Sequence, residues 1–342
     1  MKKPRSLREN NFDIVRILLA LIVVFVHSYE LSQQRSLRVI DVVLNSRFAV
    51  EGFFTISGFL IFASYERSRS LREYAANRAW RILPGYWLST VVCLVIAFVF
   101  GQFHVGRFLA ANLTFLNTFS PDIPGVFTGN ASRAMNGALW TIKVEVMFYV
   151  AVPLIVWLCR KTHRDAMLLI LFLSSIAYRM VLANHTSLAQ QLPGQLSFFV
   201  MGSLVYYHLP LFKRHGWWLV AASVAVYGLH RATDWFFLRP APVAIFILAA
   251  CLLLPQVKGP TRWGDFSYGT YILHFPIIQL LIHFGLFQLH PWTSVGLVLL
   301  ILIPCAALSW FLIERPCLEH ARSRRLREAA LGHTTAFPPA VP

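Results

Sequence analysis

The chain has 342 residues, 57% of them hydrophobic and 13% charged, and its mean hydropathy is +0.58. Soluble domains carry about 25% charged residues, so a water-exposed surface cannot be covered here, and a soluble enzyme, a disordered chain and a disulfide scaffold are all excluded. The formal net charge of +16 points to nucleic acid in a soluble protein and to the cytoplasmic face in a membrane protein; the placement of the charges decides between them.

A helix needs about 20 mostly apolar residues to cross a bilayer. Ten segments are read as spans: 12–30, 48–65, 82–101, 139–159, 166–183, 194–208, 217–231, 240–254, 268–288 and 292–313. The sixth, seventh and eighth are short, and their helices are expected to run a few residues further. The stretch Phe108 to Phe119 is too short to cross and is read as interfacial or re-entrant. With the N-terminus inside, the basic residues of 2–8, 67–81, 160–164, 213–214, 258–262 and 315–327 share one face. That face then holds roughly three times the cations of the other, as the positive-inside rule requires.

The expected fold is therefore an all-α, polytopic membrane protein with about ten transmembrane helices and both termini cytoplasmic. Residues 1–11 form a basic cytoplasmic N-terminus, 12–316 the membrane domain, and 317–342 a basic, disordered cytoplasmic tail. The excess charge becomes topology, and nucleic acid drops out as a partner. Asp13 and Arg16 interrupt the first apolar run, so it is expected to stay as a span and not to be cleaved as a signal peptide. The five cysteines have no metal-site spacing and there is no HExxH pattern, so no metal is expected.

Ionisable groups inside a span cost about 2.5–3.5 kcal/mol each on insertion scales, so each calls for a partner, a cavity or a task. At the helical rise, Arg16 lies roughly 6 Å from the cytoplasmic edge, His27 roughly 22 Å and Glu145 roughly 21 Å. His27 and Glu145 can meet at one level, as a general base with an orienting carboxylate. Glu51, Arg179 and His283 come out near the same level and stay open as partners of His27. His274 falls roughly 9 Å from the cytoplasmic edge, near Arg16. Structural alternatives exist for each: Arg16 snorkelling to the interface, His27 as a satisfied core group, and Glu145 neutralised by Lys143 or Arg179.

Residues 67–84, between the second and third spans, are read as a basic cytoplasmic loop; Arg78 and Arg81 are three residues apart, so on a helix they share a face and can grip one phosphate. The alternative is ordinary cytoplasmic charge drawn to anionic lipid. Trp80 and Trp87 are expected at headgroup level.

These residues, in this order, resemble the membrane-bound acyltransferase 3 family, which O-acylates sugars. The resemblance rests on Arg16-x10-His27 in the first span, Phe53-Phe-Thr-Ile-Ser57-Gly58-Phe in the second, and Tyr74-x3-Arg78-x2-Arg81-x2-Pro84. It continues in Leu139-Trp140-Thr141-x3-Glu145-x2-Phe148-Tyr149, where Thr141 replaces the usual Ser, then in Ser267-Tyr268-x2-Tyr271-x2-His274 and Glu314-Arg315-Pro316. The resemblance implies an enzyme of the inner (plasma) membrane that takes an acyl group, usually acetyl, from cytoplasmic acyl-CoA. The acceptor it implies is a carbohydrate hydroxyl, free or on a lipid-linked glycan. His27 and Glu145 are then the catalytic pair, and Arg16, Arg78, Arg81 and His274 the donor-binding set. Direct transfer and a covalent acyl-histidine both stay open, as does the oligomeric state. Two other classes compete: a glycan transporter, which should show broken helices in matching halves, and a non-catalytic subunit of a polysaccharide assembly system, which should tolerate loss of Arg16, His27 and Glu145.

Overall fold

The computed structural model describes residues 10–257 and 264–330. Among these the structure is helical, without strands: α1 (Phe12–Ser32), α2 (Arg38–Val43), α3 (Ser46–Arg67), α4 (Leu71–Val99), α5 (Gly106–Leu113), α6 (Trp140–Lys161), α7 (Arg164–Val181) and α8 (Thr186–Ala189). They are followed by α9 (Leu192–Tyr207), α10 (Leu209–Thr233), α11 (Pro240–Leu252), α12 (Ser267–His283), α13 (Leu286–Leu289), α14 (Pro291–Ser309) and α15 (Arg315–Ala330), with a π-helical turn, Trp310–Glu314, between the last two.

Among the described residues, five helical stretches are long and apolar enough to cross a membrane: Phe12–Ser32, Arg35–Arg67, Leu71–Val99, Gly137–Lys161 and Pro291–Arg324. Large apolar side chains cover the outside, among them Val150, Val181, Leu300 and Leu312, each about 70–80% exposed. So much exposed hydrocarbon is stable only against lipid, and the chain is a multi-pass membrane protein. Each of the ten segments read from the sequence lies on a helix, but α11 is shorter than expected and α10 begins eight residues earlier. The stretch 108–119 becomes the short helix α5 and a 3-10 turn.

Two expectations are corrected. The basic segment after α3 is not a loop: α4 starts at Leu71, because Ser70 accepts the Glu73 N–H at 3.1 Å and Glu73 reaches back to the Arg69 N–H at 2.8 Å. This is close to a capping box, and it puts Arg78 and Arg81 inside the helix. The chain beyond residue 317 is not disordered throughout, since α15 continues to Ala330; residues 1–9, 258–263 and 331–342, with Lys258, Arg262 and most of the basic N-terminus, lie outside the described residues.

Cross-helix contacts set the helix directions. Asn11 caps the C-terminus of α11, its side-chain amide donating to the Leu254 and Pro255 carbonyls at 3.3 and 3.1 Å. The carbonyls orphaned at a helix end are thereby partly satisfied, and α1 begins where α11 stops, antiparallel to it. α3 and α9 run side by side in the same direction, with Gly58 against the Phe199 carbonyl and Gly202 against that of Thr55. A Tyr207 hydroxyl donating to Glu66 at 2.9 Å ties the far ends of the same two helices. Phe148 of α6 stacks on Phe199, with ring centroids 4.0 Å apart, which seats α6 on the α3–α9 pair.

A Cβ at Gly58 would overlap backbone, which cannot give way, whereas nothing lies within 4 Å of one at Gly106. Gly58→Val is therefore expected to lower stability by at least the ~1–3 kcal/mol typical of overpacking, and Gly106→Ala to leave it unchanged, as read from melting temperatures in detergent.

Candidate active site

The site is assembled where α1 and α12 lie side by side in the same direction. Arg16 Nη1 donates to Asp265 Oδ2 at 2.5 Å, and farther along the pair His27 Nδ1 meets His274 Nε2 at 2.8 Å. Arg81 of α4 donates to the same Asp265 oxygen as Arg16. One carboxylate thus ties three helices, and Ser267 Oγ completes its shell at 2.5 Å. Burial alone would raise the Asp265 pKa, but Arg16 and Arg81 outweigh it and hold the carboxyl well below its usual range.

The histidine pair has a defined proton order. His274 Nδ1 lies 2.6 Å from the Tyr271 carbonyl, and a carbonyl only accepts, so this nitrogen carries the hydrogen. In the neutral ring Nε2 is then bare and accepts from His27 Nδ1–H. The bare nitrogen of His27 is Nε2, which lies 3.8 Å from the Glu30 carboxylate. His274 is fully buried, while the His27 side chain keeps 19% of its surface exposed. The rings are stacked with centroids 5.1 Å apart, and Phe275 closes edge-on over His27.

Glu145 is not part of this pair. Its Oε1 accepts from Ser57 Oγ at 3.2 Å and from Tyr149 OH at 2.9 Å. Depth placed Glu145 level with His27, but depth says nothing about azimuth, and Glu145 turns toward α3. The other candidates for His27 are also engaged elsewhere. Glu51 pairs with Arg239 at 2.8 Å, Arg179 lies over the Phe236 ring, and His283 packs on Phe100. Lys143 donates to Thr118 at 3.2 Å. His274, grouped with Arg16 from its sequence position, belongs with His27 instead. The reckoning started from the edge of the bilayer, whereas α12 starts inside the bundle, behind Asp265.

Beside the pair runs a small, partly open cavity, lined by Arg16, Ser57, Thr141, Glu145, Tyr268 and Tyr271 among others. Neither histidine is in its lining; Tyr271 joins the two regions, its ring facing the cavity and its carbonyl fixing His274. Thr141 and Tyr271 share a hydroxyl hydrogen bond of 2.8 Å, which ties α6 to α12. Near the Arg16 end, Arg78 lies over the Tyr149 ring at 5.6 Å and Arg81 over that of Tyr268 at 6.0 Å, on one face of α4 as their spacing predicts. Arg78 Nε is buried without a hydrogen-bond partner. Trp80 packs on His320 of α15. Asp265 and the His27–His274 contact were not found from the sequence. The only hint was an acid two residues before the Ser267-Tyr268 run, in a chain with 15 acids.

The fold is thus a lipid-embedded helical bundle that holds a hydrogen-bonded histidine pair with a cavity beside it. Residues 9–314 match the family described as an acyltransferase domain, and the chain belongs to the acyltransferase 3 family. Nodulation protein 10 of Rhizobium leguminosarum bv. viciae is 28% identical, with 91% of this chain and 93% of that protein covered. An O-acetyl transferase of Shigella phage Sf6 is 26% identical over 92% and 97%. The exopolysaccharide production protein ExoZ of Rhizobium meliloti (strain 1021) is 28% identical over 83% and 93%. No solved structure matches the chain.

Removing the charge of Asp265 leaves two mostly buried guanidinium groups without their shared carboxylate. Asp265→Asn is expected to destabilise the protein by ~3–5 kcal/mol, as loss of one partner of a buried pair does, while Glu66→Gln, whose partner Arg160 is 36% exposed, costs under about 1 kcal/mol; denaturation of the two purified variants compares them.

Proposed function

We propose that the protein transfers an acyl group, most simply acetyl, from acyl-CoA to a carbohydrate hydroxyl, with His27 as the general base. The observation that carries this reading is the proton order of the histidine pair. The Tyr271 carbonyl orients His274, His274 accepts from His27, and the remaining lone pair of His27 is left on Nε2 of a side chain that is 19% exposed.

In this scheme Nε2 takes the acceptor hydroxyl's proton as that oxygen attacks the thioester carbonyl. The new C–O bond forms, the C–S bond breaks, and the proton on His27 passes to the departing thiolate. The products are the O-acyl ester and free thiol. General-base assistance of this kind contributes about 10²–10⁴-fold. His274 takes the positioning role that was expected of Glu145. Glu145 in turn holds Ser57 and Tyr149 along the cavity wall, where the slim thiol arm of the donor would run.

The donor's phosphates fit the Arg16 end. Arg78 has a buried guanidinium nitrogen without a partner, and Arg16 and Arg81 stand at the same end, held by Asp265. We place that end at the cytoplasm, with ten crossings and both termini there, in the inner membrane. Support comes from the basic face read from the sequence, and from helix pairs whose directions agree with strict alternation: α1 with α12 and α3 with α9 parallel, α1 with α11 antiparallel. The acceptor class follows the relatives named for O-acetyl transfer and exopolysaccharide production.

The purified protein, given acetyl-CoA and glycan from a deletion strain, should add 42 Da per acetyl (the mass of C2H2O) as read by mass spectrometry. His27→Ala should slow this by about 10²–10⁴-fold. His274→Ala should lower kcat with the donor KM little changed, and Arg78→Gln should do the reverse. A correctly inserted His27→Ala protein that acylates at the parent rate would overturn the scheme.

A further inference from the structure

A second cluster of ionisable side chains has no part in the transfer described above. Glu51 and Arg239 are 1% and 6% exposed and pair through Oε2 and Nε at 2.8 Å. His230 Nδ1 lies 3.0 Å from the Trp235 carbonyl and therefore donates to it, so its Nε2 accepts from Arg239 Nη1 at 3.4 Å. Two atoms of the pair, Glu51 Oε1 and Arg239 Nη2, are buried with no partner.

Arg239 alone is enough to neutralise Glu51, yet two more arginines stand near it: Arg47, one turn before Glu51 on the same face of α3, and Arg179 near the end of α7. Arg179 lies 4.4 Å over the Phe236 ring and reaches the Gly194 carbonyl at 3.4 Å. Arg47 is exposed. Neither is within ion-pair distance of a carboxylate among the described residues. One carboxylate therefore stands among three guanidinium groups, and the excess positive charge calls for an anion.

The N-terminal ends of α3, α9 and α11 and the C-terminal ends of α7 and α10 meet at this cluster through the Glu51–Arg239, Arg179–Gly194 and Arg239–His230 contacts, so helix-end charges of both signs face it and the arginines decide its net charge. Met180, Val181, Trp235 and Phe237 stand exposed beside it. An anion that comes in past an apolar, aromatic rim of this kind has hydrocarbon attached.

We propose that this cluster binds the phosphate headgroup of a lipid, the phosphate bridging Arg47 and Arg179 beside the buried Glu51–Arg239 pair. The phosphate is that of an anionic phospholipid or of a polyprenyl phosphate, and the recognition chemistry is common to both. The proposal does not depend on the transfer chemistry, because its test contains no acyl donor.

The full-length protein in a neutral detergent is titrated with a polyprenyl phosphate, phosphatidylglycerol, phosphatidylcholine and inorganic phosphate, with bound lipid read by native mass spectrometry. Arg47→Gln and Arg179→Gln leave the Glu51–Arg239 pair intact, and Arg322→Gln, exposed on α15, serves as the control. Saturable binding of lipid phosphate should weaken about tenfold in each of the first two variants and not in the control. Preference for the polyprenyl phosphate assigns the site to a lipid carrier, and equal binding of phosphatidylglycerol assigns it to the headgroup whatever the chain. The proposal fails if both variants bind as tightly as the parent, or if phosphatidylcholine or inorganic phosphate binds as well as the anionic lipids.

Discussion

A carboxylate shared by two arginines holds the functional half of this bundle in register. Asp265 fixes the start of α12 against α1 and α4 at once, in surroundings where an unpaired charge of either sign is costly. Nine residues farther along α12 stands His274, and eleven residues beyond Arg16 stands His27. Two helices running in the same direction from a common pin bring these rings together after nearly equal rises of roughly 14 and 17 Å. The histidine contact is thus a geometric consequence of an ion pair about three helical turns away. The same pin sets Tyr268 and Tyr271 facing the cavity, because both lie within two turns of Asp265 on α12.

Much of the architecture was legible because hydrophobic length is a strong signal. All ten segments fall on helices, and the Arg78–Arg81 face is as the spacing predicts. Boundaries were weaker where polar residues continue a helix: the Ser70 and Glu73 cap carries α4 through its basic turns, which composition alone reads as loop. Partners were the least legible. Level within the bilayer can be computed from a residue count, but the choice among groups at one level depends on which face each helix presents. Glu145 therefore went to Ser57 and Tyr149, Glu51 to Arg239 and Lys143 to Thr118. The one large error of level, for His274, came from measuring α12 from the bilayer edge, when its first residues are already buried against Arg16 and Arg81.

A neutral histidine, and not a carboxylate, behind His27 has a physical consequence for the proposed chemistry. A carboxylate partner would bring a permanent charge into the interior, and that charge would need its own cation. The His274 relay instead ends on a backbone carbonyl that is already part of a helix, so the resting pair adds no net charge. The attacking hydroxyl needs a base for its proton, but the leaving thiol, which ionises near pH 8.5, departs with little acid assistance. A neutral dyad that holds a proton only while the thiolate leaves is therefore sufficient for this transfer.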